Sequence, residues 1–199
     1  EHEKLLKDRM SKESYAKLTS LKNNKVMEFV SFFVEHCDPA SVYVCDDSKA
    51  DVMYVRNQAL LMREEERLFL PEQTIHWDSY YDQGRDKKST RFMVYKENLE
   101  SMKALNAIEY EQGYSEIMEI SKGIMKGKTA IVQFFSEGPT ESPFTIPCIQ
   151  FTDSWYVAHS EFILYRSGYK HFLKMKESEK DDFFRFIHSA GELDENGNT

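Results

Sequence analysis

Hydrophobic positions along this chain fall into two periods, and the change from one to the other marks out its elements. Over 25–36, Val26, Phe29, Val30, Phe33 and Val34 recur at intervals of three and four, which is one face of a helix, with Asn23 or Asn24 placed to cap it. Ahead of it, Leu5, Leu6, Met10, Tyr15, Leu18 and Leu21 are set among many charges, which predicts an amphipathic helical arm over 1–22, as one helix or two. Pro39 closes the region, 41–45 reads as a short strand, and Asp46, Asp47 and Ser48 offer the N-cap of a helix over roughly 49–63.

The pattern is strongest over 125–168. Residues 130–135 form an unbroken apolar and β-favouring run between Gly127 and the pair Gly138 and Pro139, as expected of a strand covered on both faces. Residues 145–152 supply its neighbour, Asp153 stands where a helix N-cap belongs, and Gly168 stands where a left-handed residue would end that helix. Between 64 and 86 the periodicity lapses, and Phe69, Trp77, Tyr80 and Tyr81 are left to pin a long connection. A strand over 90–95, two helices over 98–122 broken near Gly113, a helical 169–175 and a strand over 183–187 complete the reading. Helices and strands interleaved in this order predict an α/β fold with a mixed sheet and packed helices.

Composition narrows the function classes. A chain of 199 residues with 41% hydrophobic content can bury the core of one α/β domain. Its net charge of −8 opposes a general nucleic-acid or anionic-membrane surface, which needs a positive excess. Cys37, Cys45 and Cys148 are scattered without a C-x-x-C pair and read as reduced, partly buried thiols. No apolar run approaches the ~20 residues of a membrane span, so a cytoplasmic setting is expected. The missing initiator Met and the polar residues 192–199 suggest a segment of a longer polypeptide.

Candidate chemistry is sparse. Gly127-Lys128-Thr129 ends like a phosphate loop, but the first glycine of that motif would fall on Lys122, and the segment enters a strand instead of a helix. Ser136 and Ser142 have no adjacent base, and His2, His36, His76, His159, His171 and His188 show no metal-ligand spacing. A helix cap accounts for Asp153. The segment 82–91 is more informative, because it sets Arg85 and Arg91 in and after a glycine-containing loop just before a strand, and arginine's planar fork pairs bidentately with carboxylate or phosphate. The competing reading is a surface loop in which Arg85 pairs with Asp82 or Asp86.

Several short motifs recur here in a definite order: Met125-Lys126-Gly127-Lys128-Thr129, then Phe135-Ser136 with Gly138-Pro139 and Ser142-Pro143, then Thr152-Asp153-Ser154 with Tyr156-Val157, then Arg166 and Gly168. Phe186-Ile187-His188-Ser189-Ala190-Gly191 follows, and Val42-Tyr43-Val44-Cys45-Asp46 precedes. Together they resemble the N-terminal domain of phosphoenolpyruvate carboxykinases, of the GTP-type lineage and its diphosphate-using relatives. That resemblance implies an incomplete substrate-binding α/β domain over 23–199, part of a carboxy-lyase that interconverts oxaloacetate and phosphoenolpyruvate with CO₂. GTP or diphosphate would donate the phosphoryl group with a divalent metal, Mn²⁺ or Mg²⁺. The phosphate loop and metal ligands of such enzymes lie further along the chain, so this segment is expected to bind neither donor nor metal and to be inactive alone. Its expected partners are the small-molecule substrate and the remainder of the same enzyme, with no nucleic acid and no membrane. The family places a substrate-gripping arginine in a D-P-x-D-V-A-R segment before the corresponding strand; here the V-A-R spacing is missing, which makes Arg85 the first candidate and Arg91 the second. A non-catalytic, truncated homologue serving as a binding or regulatory module is the alternative.

Overall fold

The apolar run around Val132 becomes the strand on which the rest is layered. The computed structural model describes residues 2–77 and 90–191. In it β6 (Thr129–Ser136) lies between β1 (Ser41–Val44), to which it is parallel, and β7 (Pro147–Thr152), to which it is antiparallel; β9 (Phe184–His188) extends the sheet parallel to β7. The expected mixed sheet is therefore present, in the order β1-β6-β7-β9, with the short β8 (Arg166–Ser167) added beside the end of β6.

Alternation along β6 feeds two cores. Ala130, Val132 and Phe134 join the larger one with Leu6 of α1 (His2–Arg9), Leu18 of α2 (Lys12–Ser20), Val26, Val30 and Val34 of α3 (Asn24–Cys37) and Phe172 of α7 (Tyr169–Lys174). Ile131 faces the other way, to Val55 and Ala59 of α4 (Lys49–Leu61) and to Trp155 and Ala158 of α6 (Trp155–Leu164). Helices on both faces explain why β6 shows no polar alternation in sequence.

The N-terminal helices are not peripheral. Leu6 and Leu18 are wholly buried, Met10 bridges to Val42, and the Lys17 ammonium reaches the buried Asp51 carboxylate at 2.7 Å. Asp51 also accepts the Tyr43 hydroxyl and the Asp46 N–H, which ties α2, β1 and α4 together.

Capping follows the sequence in part. Asn23 caps α3 and Ser48 caps α4. Asp47 instead accepts the N–H groups of Tyr169 and Lys170 and so holds the start of α7, across the sheet edge from its own helix. At α6 the cap is Ser154, whose Oγ accepts the Val157 N–H, and Asp153 is freed for another role.

Three expectations are corrected. Gly168 has φ −113 and stands before α7, so it is not a left-handed terminus of α6, which ends at Leu164. Its N–H donates to Phe134 O at 2.9 Å, and a Cβ there would lie 2.7 Å from the Phe135 backbone; close approach, not positive φ, demands glycine. Residues 98–122 are not two helices: a 3₁₀ turn at Lys96–Asn98 leads through further turns to β5 (Ala107–Glu109), parallel to β4 (Phe92–Val94), and only then to α5 (Tyr110–Ser121). Gly113 does not break α5 but lets β4 in, since a Cβ there would meet Met93 Cγ at 2.7 Å. A small hairpin, β2 (Glu66–Arg67) with β3 (Thr74–Ile75), occupies part of the expected irregular connection.

Candidate functional site

Because β7 and β9 are parallel, their C-terminal ends finish together, beside the start of the antiparallel β6. Thr152-Asp153-Ser154, His188-Ser189-Ala190-Gly191 and Lys128, which are far apart in sequence, meet there. Asp153 is buried; its Oδ1 accepts the Ala190 N–H at 2.8 Å, and its Oδ2 accepts the Ser189 hydroxyl at 2.7 Å and the Lys128 ammonium at 2.8 Å. Lys128 also donates to Gly191 O at 2.7 Å. Three of these contacts draw the segment after β9 onto the mouth of the sheet, and the fourth ties Lys128 to Asp153. It is a brace: both oxygens of the buried Asp153 carboxylate are spent on holding it together.

Next to the brace, Thr152 Oγ1 accepts the Ser154 N–H and lies 2.9 Å from His188 Nδ1. With one lone pair engaged, the hydroxyl donates its proton to the ring only while Nδ1 is unprotonated. Burial pushes the His188 pKa down, and the charges of Asp153 and Glu64 only partly offset this.

Glu64 supplies a second fixing point, for which there is no local signal in the sequence. Its Oε2 accepts both the Ser154 hydroxyl at 2.7 Å and the Tyr156 N–H at 2.8 Å, which places a carboxylate on the N-terminus of α6. The His76 ring stacks on Tyr156 with centroids 3.6 Å apart, and its Nδ1 lies 2.6 Å from Glu64 O. The chain that runs into 78–89 is thus anchored at the Thr152–Ser154 turn. Where it returns, Thr90 O accepts from Asn106, and Arg91 pairs with Glu116 at 2.6 Å.

Of the two arginines, Arg85 lies outside the described residues. Arg91 is described, and it is engaged by Glu116 on the β4–β5–α5 unit; it does not join the brace. Lys128, weighed in the sequence only as the end of a phosphate loop, proves to be the cation of the brace. Among the described residues no three His, Cys, Asp or Glu side chains converge as a metal site requires, and no helix is long and apolar enough to cross a membrane. The three thiols are free and buried, and burial pushes Cys37 and Cys148 up to about 11.

Comparison with known proteins bears on the same elements. The chain is 47% identical over 190 residues to phosphoenolpyruvate carboxykinase (GTP) of Pyrococcus horikoshii, covering 96% of this chain and 30% of that protein. It is 47% identical over 186 residues to the protein of the same name from Thermococcus kodakarensis, and 37% identical over 185 residues to that of Saccharolobus solfataricus, in each case spanning 29% of the relative. The chain therefore matches under a third of the length of these relatives. The brace, the T-D-S turn and the β9 segment all fall within residues 28–199, which match the family model described as the phosphoenolpyruvate carboxykinase N-terminal domain. On that match and these identities, the chain belongs to the phosphoenolpyruvate carboxykinase N-terminal domain family.

Proposed function

We propose that this chain is the substrate-binding portion of a carboxy-lyase that converts oxaloacetate and GTP to phosphoenolpyruvate, GDP and CO₂, and the reverse. The observation that carries this reading is the 47% identity, over nearly the whole chain, to proteins named phosphoenolpyruvate carboxykinase (GTP). That printed name favours GTP over diphosphate as donor, and nothing in the chain favours the non-catalytic alternative. The divalent metal, Mn²⁺ or Mg²⁺, would stabilise charge on the transferring phosphoryl group and the enolate; its ligands belong to the remainder of the enzyme. With its buried thiols, the chain suits a reducing cytoplasm.

In this proposal the chain grips the carboxylate. Loss of CO₂ leaves an enolate, so a cation fixed beside the substrate acts both on the ground-state carboxylate and on the charge that develops. Arg85 is the first candidate for that cation, because Arg91 already has a carboxylate partner. The Glu64–His76–Tyr156 anchor precedes the segment that carries it, and the Asn106 and Glu116 contacts follow it.

The test is made on the full-length protein. Arg85→Ala should lower kcat/KM by orders of magnitude, since each charge-assisted bond of a fork contributes about 1.5–3 kcal/mol, and should leave the melting temperature unchanged. Arg85→Lys should not rescue it, because a point charge lacks the second aligned donor. Normal kcat/KM in Arg85→Ala with loss in Arg91→Ala would transfer the role to Arg91. The 199-residue chain alone should turn over no oxaloacetate; decarboxylation above a denatured control would overturn the assignment of the donor and metal machinery to the remainder.

A further inference from the structure

Where α4 and α6 meet the β2–β3 hairpin, they border an open cavity of about 390 Å³. Its floor holds a cation. Arg56 is only 7% exposed, yet its one side-chain partner among the described residues is Glu72, whose Oε2 accepts from Nη1 at 3.3 Å. Glu72 is itself 82% exposed at the side chain and sits in the hairpin loop at φ +65. A guanidinium offers five N–H donors, and a carboxylate that matches its fork makes two parallel bonds at about 2.7–2.9 Å. Here a buried cation is met by a single long bond from a carboxylate standing in water. None of the Arg56 nitrogens is among the buried atoms left without a partner, so the free part of the fork opens to solvent, where an anion of matching shape can take it up.

The walls show what kind of anion. Met53 and Ile163 bring exposed apolar side chains to the lining, which Thr74 and His159 share. His159 is held by Glu65, whose Oε1 lies 2.6 Å from Nδ1. We propose that this cavity binds a small organic anion, a carboxylate with a short apolar body, which replaces Glu72 on the Arg56 guanidinium and lays its hydrocarbon against Met53 and Ile163. Glu72 then acts as the internal stand-in that fills the site in the ligand's absence. Its exposure and its place in a loop let it swing out without disturbing α4 or α6.

The experiment uses the 199-residue chain labelled with ¹⁵N and compares sodium butanoate with butanamide at constant ionic strength, two probes alike in shape and different in charge. Butanoate should give saturable amide shifts centred on Met53, Arg56 and Ile163, and butanamide should give none. Glu72→Gln, which removes the competing carboxylate, should tighten butanoate binding, and Arg56→Met should weaken it by at least about tenfold. Arg56→Lys covers the case in which the methionine variant fails to fold; it keeps the charge without the fork and should also weaken binding. Equal shifts from the amide, undiminished affinity in both folded Arg56 variants, or no gain in Glu72→Gln would each overturn the proposal.

Discussion

Protonation of His188 and of Glu161 should act on stability in opposite directions. Burial holds the His188 pKa below the free value of about 6.5, so the folded chain binds that proton less tightly than the unfolded one. The stability this contributes is fully present above the unfolded value and is lost as pH falls through the folded value. His188→Gln should therefore flatten the decline of the melting midpoint below pH ~6.5, and an unchanged decline would show that another group governs it. Glu161 is the reverse case: burial, reinforced by the charge of Glu137 and opposed by Gln150, pushes it up to about 7. Its folded form holds the proton more tightly, so the stability it contributes is present at low pH and lost as pH rises through about 7. Glu161→Gln, neutral at every pH, should match the parent only below the unfolded carboxyl value of about 4.3, gain on it as pH rises from there to about 7, and hold its full advantage in melting midpoint above pH ~7.5, where the parent must carry a charge on a carboxyl that has one buried oxygen without a partner. Neither site was visible in the sequence, because burial, not spacing, sets both shifts.

The strands and helices around β6 were legible because each imposes its own period on the apolar residues, and what covers them decides which period shows. The run at 130–135 and the stripe at 26–34 gave the right element types, and each set of cap candidates, Asn23 or Asn24 and Asp46, Asp47 or Ser48, contained the residue that caps, Asn23 and Ser48. What failed was local chemistry decided from afar. Asp153 satisfies every local requirement of a cap, but Ser154 can cap one residue later, which leaves the stronger acceptor for partners 25 to 37 positions away. Glu64 meets Ser154 across 90 positions and carried no local signal. The brace makes a measurable claim at this scale: Asp153→Ala should cost about 2–4 kcal/mol, somewhat less than the ~3–5 kcal/mol for stranding one partner of a fully buried pair, since Lys128 is 34% exposed and water can take it up. Gly168 was read correctly as a required glycine and wrongly as a left-handed one. Its substitution by Ala should still destabilise, by ~1–3 kcal/mol, because the added Cβ must push β8 away from Phe135. A midpoint unmoved by Gly168→Ala would mean that β8 yields without cost and does not fix the start of α7.

At the scale of the whole chain, the residues expected to form an arm carry a prediction that the family match alone would not suggest, since the matched model begins at residue 28. A dispensable arm would leave the sheet intact when removed. Yet Leu6 and Leu18 are wholly buried against the same cluster as Val30 and Val34, and Lys17 is the ammonium that neutralises buried Asp51 at the start of α4. Each leucine contributes ~1.5–3 kcal/mol by burial, and stranding Asp51 costs about 3 kcal/mol more, so the loss approaches the 5–15 kcal/mol by which domains are stable at all. Deleting residues 1–22 should therefore abolish cooperative unfolding, and Leu18→Ala alone should cost about 2–5 kcal/mol in chemical denaturation. Lys17→Met separates the charge from the packing: it keeps most of the side-chain volume, leaves the buried Asp51 carboxylate without its ammonium, and should by itself destabilise by about 3 kcal/mol. A truncated chain that melts at the parent's temperature would show that the sheet and α3 stand without this segment, and would restore it to the status of an arm.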